Sequence, residues 1–175
     1  MSVDLAPVIR AARDDEVAAL PHLERAAARL FAPWGLDVLF AAATTPLPVL
    51  REAQREQRLL LALEPRRQRP VGFALLSRVD WHAHLDELDV HPDYGRRGIG
   101  RALVEASCEW ARARGLARLT LATMREVPFN GPWYQRIGFR ELEEPELGPG
   151  MRAVFERELR GGYPVERRVF LAREL

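Results

Sequence analysis

Lysine is absent from this chain of 175 residues, and cysteine occurs only once. All 26 basic residues are therefore arginine, and 25 acidic residues reduce the formal net charge to +1. Because the arginines are scattered and the net charge is close to zero, we expect no nucleic-acid partner. A single cysteine, Cys108, excludes an internal disulfide and a site built from several cysteines. Its position in an apolar helical pattern predicts a core residue.

Long apolar runs are also missing from the sequence. No segment approaches the roughly 20 apolar residues that a membrane-spanning helix needs. The first five residues lack the basic start and apolar run of a secretion signal. We therefore expect a cytoplasmic protein with no membrane partner. The length and the balance of 47% hydrophobic and 29% charged residues predict a single globular domain over residues 1–175.

Apolar periodicity predicts an alternation of strands and helices. Strands are expected at residues 8–10, 59–63, 71–76, 84–90, 116–122, near 139, and at 169–171. Helices are expected at about 14–31, 48–57, 102–110, 130–135 and 151–160. This order predicts an α+β or mixed α/β domain. The last helix has an apolar and a charged face, which leaves open whether it only covers the core or also forms a homodimer.

The strongest local signal is a glycine loop, which lies between a predicted strand and a predicted helix. It contains the residues Gly95, Arg96, Arg97, Gly98, Ile99, Gly100 and Arg101. Glycines let backbone N–H groups point toward one anion, and the start of the following helix adds a positive dipole end. The three arginines can add charge at the rim. The loop therefore predicts a phosphate-binding site.

A dinucleotide-binding fold could use a similar loop. Its fingerprint needs a third glycine three positions after the second, and the residue three positions after Gly100 is Leu103. The sequence therefore does not favour that fold.

Two separated motifs resemble the GNAT superfamily of N-acetyltransferases. The family loop has the form Arg/Gln-x-x-Gly-x-Gly/Ala after a strand that ends in a Val-x-Pro-like step, and here Val90-His91-Pro92 and Gly98-Ile99-Gly100 match. Gly95 departs from the pattern, because it stands where the family usually has arginine or glutamine. Residues 130–139 are similar to the family's Asn…Tyr-x-x-x-Gly-Phe segment. The resemblance is strongest over residues 84–139.

The resemblance implies an acyl-CoA N-acyltransferase fold. This fold has a central mixed, mostly antiparallel sheet of six to seven strands flanked by helices, with the fourth and fifth strands splayed apart. Acetyl-CoA would be the cosubstrate, and its thioester arm would lie in the gap like an added strand. The positions implied to bind it are the backbone of Leu88, Asp89 and Val90, the loop from Gly95 to Arg101, and the side-chain amide of Asn130.

Catalytic roles follow from the same resemblance. Tyr134 stands where the family has the general acid that protonates the departing thiolate. Glu87 is the candidate general base, because it lies on the strand that faces the reaction gap; His84, His91 and water remain alternatives. Strand alternation places Glu87 and Asp89 on one face. No third ligand accompanies the histidines at 82 and 84, so no metal is expected.

We therefore interpret the chain as an N-acetyltransferase that moves an acetyl group from acetyl-CoA directly to a primary amine. The acceptor, a small-molecule amine or a peptide, cannot be identified from these motifs. The alternative is a non-catalytic acyl-CoA-binding regulatory module. The presence of Tyr134 favours the enzyme.

Overall fold

The computed structural model describes residues 7–66 and 68–175 and contains a seven-stranded sheet. The strand order is β1-β2-β3-β4-β5-β7-β6. The strands are β1 Val8–Ala11, β2 Leu59–Leu63, β3 Pro70–Val79, β4 His82–Val90, β5 Arg118–Met124, β6 Arg140–Glu141 and β7 Arg168–Glu174. The predicted strands are confirmed, with boundaries shifted by a few residues.

The sheet is mixed. β4 and β5 are parallel, whereas β1–β2, β2–β3, β5–β7 and β6–β7 are antiparallel pairs. The parallel ladder joins residues 83–85 to residues 119–121, and β4 continues beyond it to Val90. A ladder this short is expected of strands that separate. The observed architecture confirms the predicted mixed, mostly antiparallel α+β fold.

Six α-helices accompany the strands in the described part of the chain. They are α1 Leu20–Ala28, α2 Asp37–Ala42, α3 Leu47–Arg55, α4 Ile99–Arg112, α5 Gly131–Arg136 and α6 Pro149–Arg160. The predicted helix at 14–31 is instead a 3-10 helix at Asp14–Ala19, then α1, then a second 3-10 helix at Arg29–Trp34 that contains Pro33. Helix α2 was not predicted, because it is only six residues long and has no side-chain cap.

The fold divides into two compact units. The first unit comprises the residues up to Leu76 together with Glu87–Ser107, and the second comprises Ser77–Asp86 and Cys108–Leu175. Each unit has its own apolar cluster. The cluster of the first unit includes Val17, Leu20, Leu50, Leu61 and Phe73, and that of the second includes Leu142, Met151, Val154, Phe170 and Ala172. The assignment of residues 1–175 to a single domain stays a prediction.

The turn between β3 and β4 contacts the start of α6 within the second unit. Asp80 adopts a left-handed φ of 45°, and its carboxylate accepts hydrogen bonds from the backbone N–H groups of Gly150 (2.7 Å) and Met151 (3.0 Å). A Cβ atom at Gly148 would lie only 2.5 Å from this carboxylate. The turn therefore caps α6 and requires glycine beside it.

Two further predictions concern turns and membranes. Part of the polar turn predicted at 65–70 falls on Arg67, which lies outside the described residues. None of the helices in the described ranges has the length and apolarity to cross a bilayer.

Candidate active site

The glycine loop follows directly from the end of β4 in the first unit. The His91 N–H donates to the carbonyl oxygen of Val71 at 2.9 Å, and a 3-10 turn at Pro92–Tyr94 then leads to Gly95. Arg96 and Gly98 both have left-handed backbone angles, with φ of 61° and 77°. Helix α4 begins at Ile99, whose side chain is buried. The buried isoleucine anchors the loop at the start of a long helix.

Hydrogen-bond donors are available at the start of α4. The first N–H groups of an α-helix have no carbonyl partner one turn earlier, and here the N–H of Ala102 donates to the carbonyl oxygen of Gly98 at 2.9 Å. Among the described residues, no carboxylate lies within 4.0 Å of the guanidinium of Arg96, Arg97 or Arg101. Other arginines do have a close glutamate, at 2.6 or 2.7 Å: Arg10, Arg118, Arg125 and Arg167. Backbone donors, the helix dipole and these cations suit a bound anion, and the phosphate-binding role of the loop stays a prediction.

Gly95 occupies an extended conformation, with φ of −61° and ψ of 157°. A Cβ atom there would lie 3.2 Å from the carbonyl oxygen of Pro92, so a larger residue would require only a small shift. The missing side chain leaves the backbone cradle intact and removes one cation or amide from its rim.

Three carboxyl groups meet at the end of β4. Oxygen atoms of Glu24, Glu87 and Asp89 lie within 4.8 Å of one another, which confirms that Glu87 and Asp89 share a face of the strand. Glu24, on α1, is only 6% exposed, and both of its oxygens accept hydrogen bonds from Thr45: from its N–H at 3.0 and 3.1 Å and from its hydroxyl at 2.6 Å. Three carboxyl groups at this spacing match the donor set of a metal site, so the expectation of no metal stays a prediction.

The environment of Asp89 strongly disfavours its ionised form. Burial and, after it, the negative charge of Glu24 together raise the pKa of Asp89 to about 8. Burial also raises the pKa of Glu24, although its hydrogen bonds from Thr45 oppose that shift. The carboxyl of Asp89 therefore holds a proton near neutral pH beside the candidate base Glu87.

The two histidines named as alternative bases have structural partners. His84 is buried in the second unit, and the Thr120 hydroxyl, which donates to the carbonyl of Ala83 at 3.0 Å, accepts a hydrogen bond from His84 Nδ1 at 2.9 Å. Burial lowers the pKa of His84 to about 3, so this ring accepts a proton poorly. His91 Nδ1 accepts the N–H of Asp93 at 3.3 Å and caps the 3-10 turn.

Asn130 and Gly131 open α5 in the second unit. Asn130 Oδ1 is buried and has no hydrogen-bond partner among the described residues. A Cβ atom at Gly131 would lie 2.7 Å from the carbonyl oxygen of Arg125, so the start of α5 can approach the end of β5 only with glycine there. The orphaned amide oxygen fits a ligand that brings an N–H donor, as the pantetheine arm of coenzyme A does.

Tyr134 lies one turn into α5 and is 6% exposed. Its N–H donates to the carbonyl oxygen of Asn130 at 2.9 Å, and its ring meets those of Trp133 and Phe139 edge-on at 4.8 and 5.4 Å between centroids. Gly138, with φ of 98°, turns the chain so that Phe139 reaches this position. Tyr134 is thus held rigidly by its aromatic neighbours.

Two of these residues were not predicted from the sequence. Glu24 and Thr45 carried no motif, and they lie 21 positions apart in the chain. The acidic residue at 24 within an alanine-rich helix was the one available signal.

A mixed seven-stranded sheet, with an arginine-rich glycine loop between a strand and a helix, defines an acyl-CoA N-acyltransferase fold. A family model described as "Acetyltransferase (GNAT) family" matches residues 12–139. The chain belongs to this acetyltransferase family.

Similar proteins with assigned names cover parts of the chain. An uncharacterized N-acetyltransferase of Methanocaldococcus jannaschii is 34% identical over 82 residues, which is 43% of this chain and 36% of that protein. The ribosomal protein bS18-alanine N-acetyltransferase of Escherichia coli is 36% identical over 70 residues, 40% of this chain and 47% of that protein. The chain thus spans less than half the length of these curated relatives.

Structural similarity extends over the whole fold. The PaiA N-acetyltransferase from Thermoplasma acidophilum, solved in complex with coenzyme A, superposes with a TM-score of 0.71 over 98% of this chain and 100% of that chain. The sequence identity is 14%, so this likeness concerns the fold alone.

Proposed function

We propose that this protein transfers an acetyl group from acetyl-CoA directly to a primary amine. The observation that carries the proposal is the loop from Gly95 to Arg101, which leads into the first turn of α4 and whose arginines have no carboxylate within 4.0 Å among the described residues. Coenzyme A carries its negative charge on phosphate groups, which such a loop binds.

Two further groups would hold the cosubstrate. The backbone of Leu88, Asp89 and Val90 lies on the part of β4 beyond its ladder with β5, where an extended arm can add main-chain hydrogen bonds. The orphaned Oδ1 of Asn130 would accept an N–H of the pantetheine arm. When bound, acetyl-CoA supplies a thioester whose carbonyl is open to attack by an amine.

Tyr134 is the proposed general acid. When the amine nitrogen forms its bond to the acetyl carbon, the carbon–sulfur bond breaks and the thiolate needs a proton. A phenol can supply that proton, and the packing of the Tyr134 ring against Trp133 and Phe139 fixes its direction.

Glu87 is the proposed general base that takes the proton lost by the amine. Asp89, with its raised pKa, stays protonated near neutral pH, so it does not compete with Glu87 for that proton.

The acceptor remains open between a small-molecule amine and a peptide. Two curated relatives are named for such acceptors, one for glucosamine 6-phosphate and one for an alanine of ribosomal protein bS18. Amines of both classes should be screened as acceptors, and the measured signal is the free thiol released from acetyl-CoA. Location in the cytoplasm and a homodimer stay predictions.

The first test is the thermal midpoint of the pure protein with excess acetyl-CoA. A ligand that binds only the folded state raises the midpoint, so we expect a rise with acetyl-CoA and none with NAD or ATP. No rise with acetyl-CoA would contradict the proposal. A rise without thiol release from any amine would support a non-catalytic acyl-CoA-binding module.

Replacing Tyr134 by phenylalanine tests the mechanism once an acceptor is known. We expect Tyr134→Phe to lower kcat by about 100-fold or more, because the thiolate loses its proton donor while the aromatic packing is kept. The affinity for acetyl-CoA should not change. Tyr163→Phe, a tyrosine whose ring lies beside Arg168, is the matched control and should retain full turnover. Full turnover by Tyr134→Phe would remove Tyr134 from the mechanism.

A further inference from the structure

Arg69 lies beside the glycine loop although it belongs to the turn between β2 and β3. The hydrogen bond from His91 N–H to the Val71 carbonyl joins the beginning of β3 to the end of β4. Arg69 stands two residues before Val71, so this pairing carries it to Tyr94 in the turn that precedes Gly95. The turn between β2 and β3 thus contributes a cation to the edge of the loop.

Tyr94 holds two guanidinium groups within reach of its ring. The Cζ atom of Arg69 lies 5.6 Å from the ring centroid, and that of Arg97 lies 5.3 Å from it. Arg69 also donates a hydrogen bond to the Tyr94 hydroxyl, and Arg97 donates to the carbonyl oxygen of Asp93 at 3.1 Å. Cation–π contact and these hydrogen bonds restrict both long side chains to one region.

Two like charges beside one ring repel each other, and they are only partly neutralised. Arg69 has one carboxylate partner, Glu64, at 3.2 Å, and Arg97 has no carboxylate within 4.0 Å among the described residues. Each guanidinium has more N–H donors than these bonds use. Such an arrangement favours a bound anion, because the anion relieves the repulsion and accepts the remaining donors.

We propose that Arg69, Tyr94 and Arg97 form a phosphate clamp for the coenzyme A cosubstrate. The inference rests on the proposed function, since it assumes that the loop binds coenzyme A. Gly95 lacks the arginine or glutamine side chain that the family usually has at this position of the loop. In the clamp, Arg69 from the turn between β2 and β3 supplies a positive charge in its place. The clamp recognises a phosphate group, either the 3′-phosphate or the pyrophosphate.

Tyr94 is a positioning residue in this clamp. Its hydroxyl holds Arg69 and its ring contacts both guanidinium groups, so it orders the cations before the ligand arrives. Preordered donors lose less side-chain entropy on binding. Tyr94→Phe keeps the ring and removes only the hydroxyl, so it should weaken binding less than Tyr94→Leu does.

The test is the dissociation constant of coenzyme A, measured by titration calorimetry on the intact protein and its variants. We expect Arg69→Gln and Arg97→Gln each to weaken binding about tenfold, as loss of a charge-assisted contact to phosphate does. Arg66→Gln, an exposed arginine in the same turn as Arg69, is the matched control and should bind as the unmodified protein does. A thermal midpoint without ligand checks that each variant is folded.

Titration with 3′-dephospho-CoA identifies the phosphate. If the clamp holds the 3′-phosphate, Arg69→Gln weakens only coenzyme A; if it holds the pyrophosphate, both ligands weaken equally. Unchanged affinity of Arg69→Gln and Arg97→Gln for both ligands would overturn the clamp and leave the proposed function standing. Absence of coenzyme A binding by the unmodified protein would overturn the proposed function itself.

Discussion

The candidate site in the first unit and the charged surface of the second unit arrange their charges differently. In the second unit, arginines and glutamates are paired: Arg118 with Glu174, Arg125 with Glu141 and Arg140 with Glu146, each at 2.7 Å. The first unit also has ion pairs, such as Arg10 with Glu16 at 2.6 Å, but at its candidate site like charges lie together: carboxyls at the end of β4, and arginines in the loop that follows.

The difference separates stability from function. A charge with an opposite partner needs no ligand to neutralise it. A group of like charges lowers the stability of the free protein, and a bound ligand or a reaction can offset that loss. The paired region would therefore lose stability when one partner is removed. Removal of one charge from a group of like charges would raise the stability of the protein and weaken binding or catalysis.

The largest effect on stability is expected at Arg168 and Glu158, a pair in which each side chain is only 10–13% exposed. Arg168 also donates to the carbonyl of Ala122 at 3.1 Å. Glu158→Gln leaves a buried guanidinium without its counter-charge and should lower the free energy of unfolding by about 2–3 kcal/mol in urea titrations.

Helix α6 supplies a matched control for that substitution. Glu156 lies 3.9 Å from Arg160, and both side chains are about 70% exposed. Glu156→Gln should change the free energy of unfolding by less than about 0.5 kcal/mol. Equal losses of stability in Glu158→Gln and Glu156→Gln would show that burial does not determine how much these ion pairs contribute to the free energy of unfolding.

Asp89→Asn should have the opposite sign. The folded pKa of Asp89, about 8, is raised above the unfolded value near 3.9, so the stability present below about pH 4 is lost as the pH rises toward 8. Asparagine cannot ionise, so the variant should gain free energy of unfolding at high pH. Because solvent partly screens the Asp89 carboxylate, we expect a gain on the order of 2 kcal/mol at about pH 8.5 and little at about pH 4.5.

Urea titrations at both pH values measure this gain. Glu24→Gln should reduce the same pH dependence of the parent protein, because the negative charge of Glu24 contributes to the shift. A pH-independent difference between Asp89→Asn and the parent would contradict a raised pKa.

The smallest effect concerns Arg96 and its left-handed φ of 61°. Arg96→Gly should raise the free energy of unfolding by about 0.5 kcal/mol, since relief of backbone strain exceeds the added entropy of the unfolded chain. The affinity for coenzyme A should fall about threefold with the lost cation. Gln57→Gly, at φ of 54°, controls for relieved strain and should leave the affinity unchanged.

Local sequence patterns predicted most of the fold. The apolar run Leu59–Leu63 is a fully buried strand, and the glycine loop does begin a helix, because both features depend on neighbouring residues. The split of the first helix was missed because its sequence is alanine-rich throughout, and Pro33 acts only within its last turn.

The candidate site was predictable only where it coincides with motifs. The loop was found from its glycines, Asn130 and Tyr134 were found from their resemblance to a family motif, and the roles of all three stay proposals. Glu24 beside Asp89 and Arg69 beside Tyr94 depend on strand pairing and helix packing, which bring distant segments together. His84 looked like a proton carrier in the sequence, and only its burial against Thr120 gives it a structural role.

The cap that Asp80 makes on α6 has a consequence for the order of folding. Its hydrogen bonds join residues 70 and 71 positions apart, so closing this contact early would restrict a long flexible segment for little gain. We expect the cap to form after the folding transition state. The cap at Asp80 should then slow unfolding of the native protein and leave the folding rate almost unchanged.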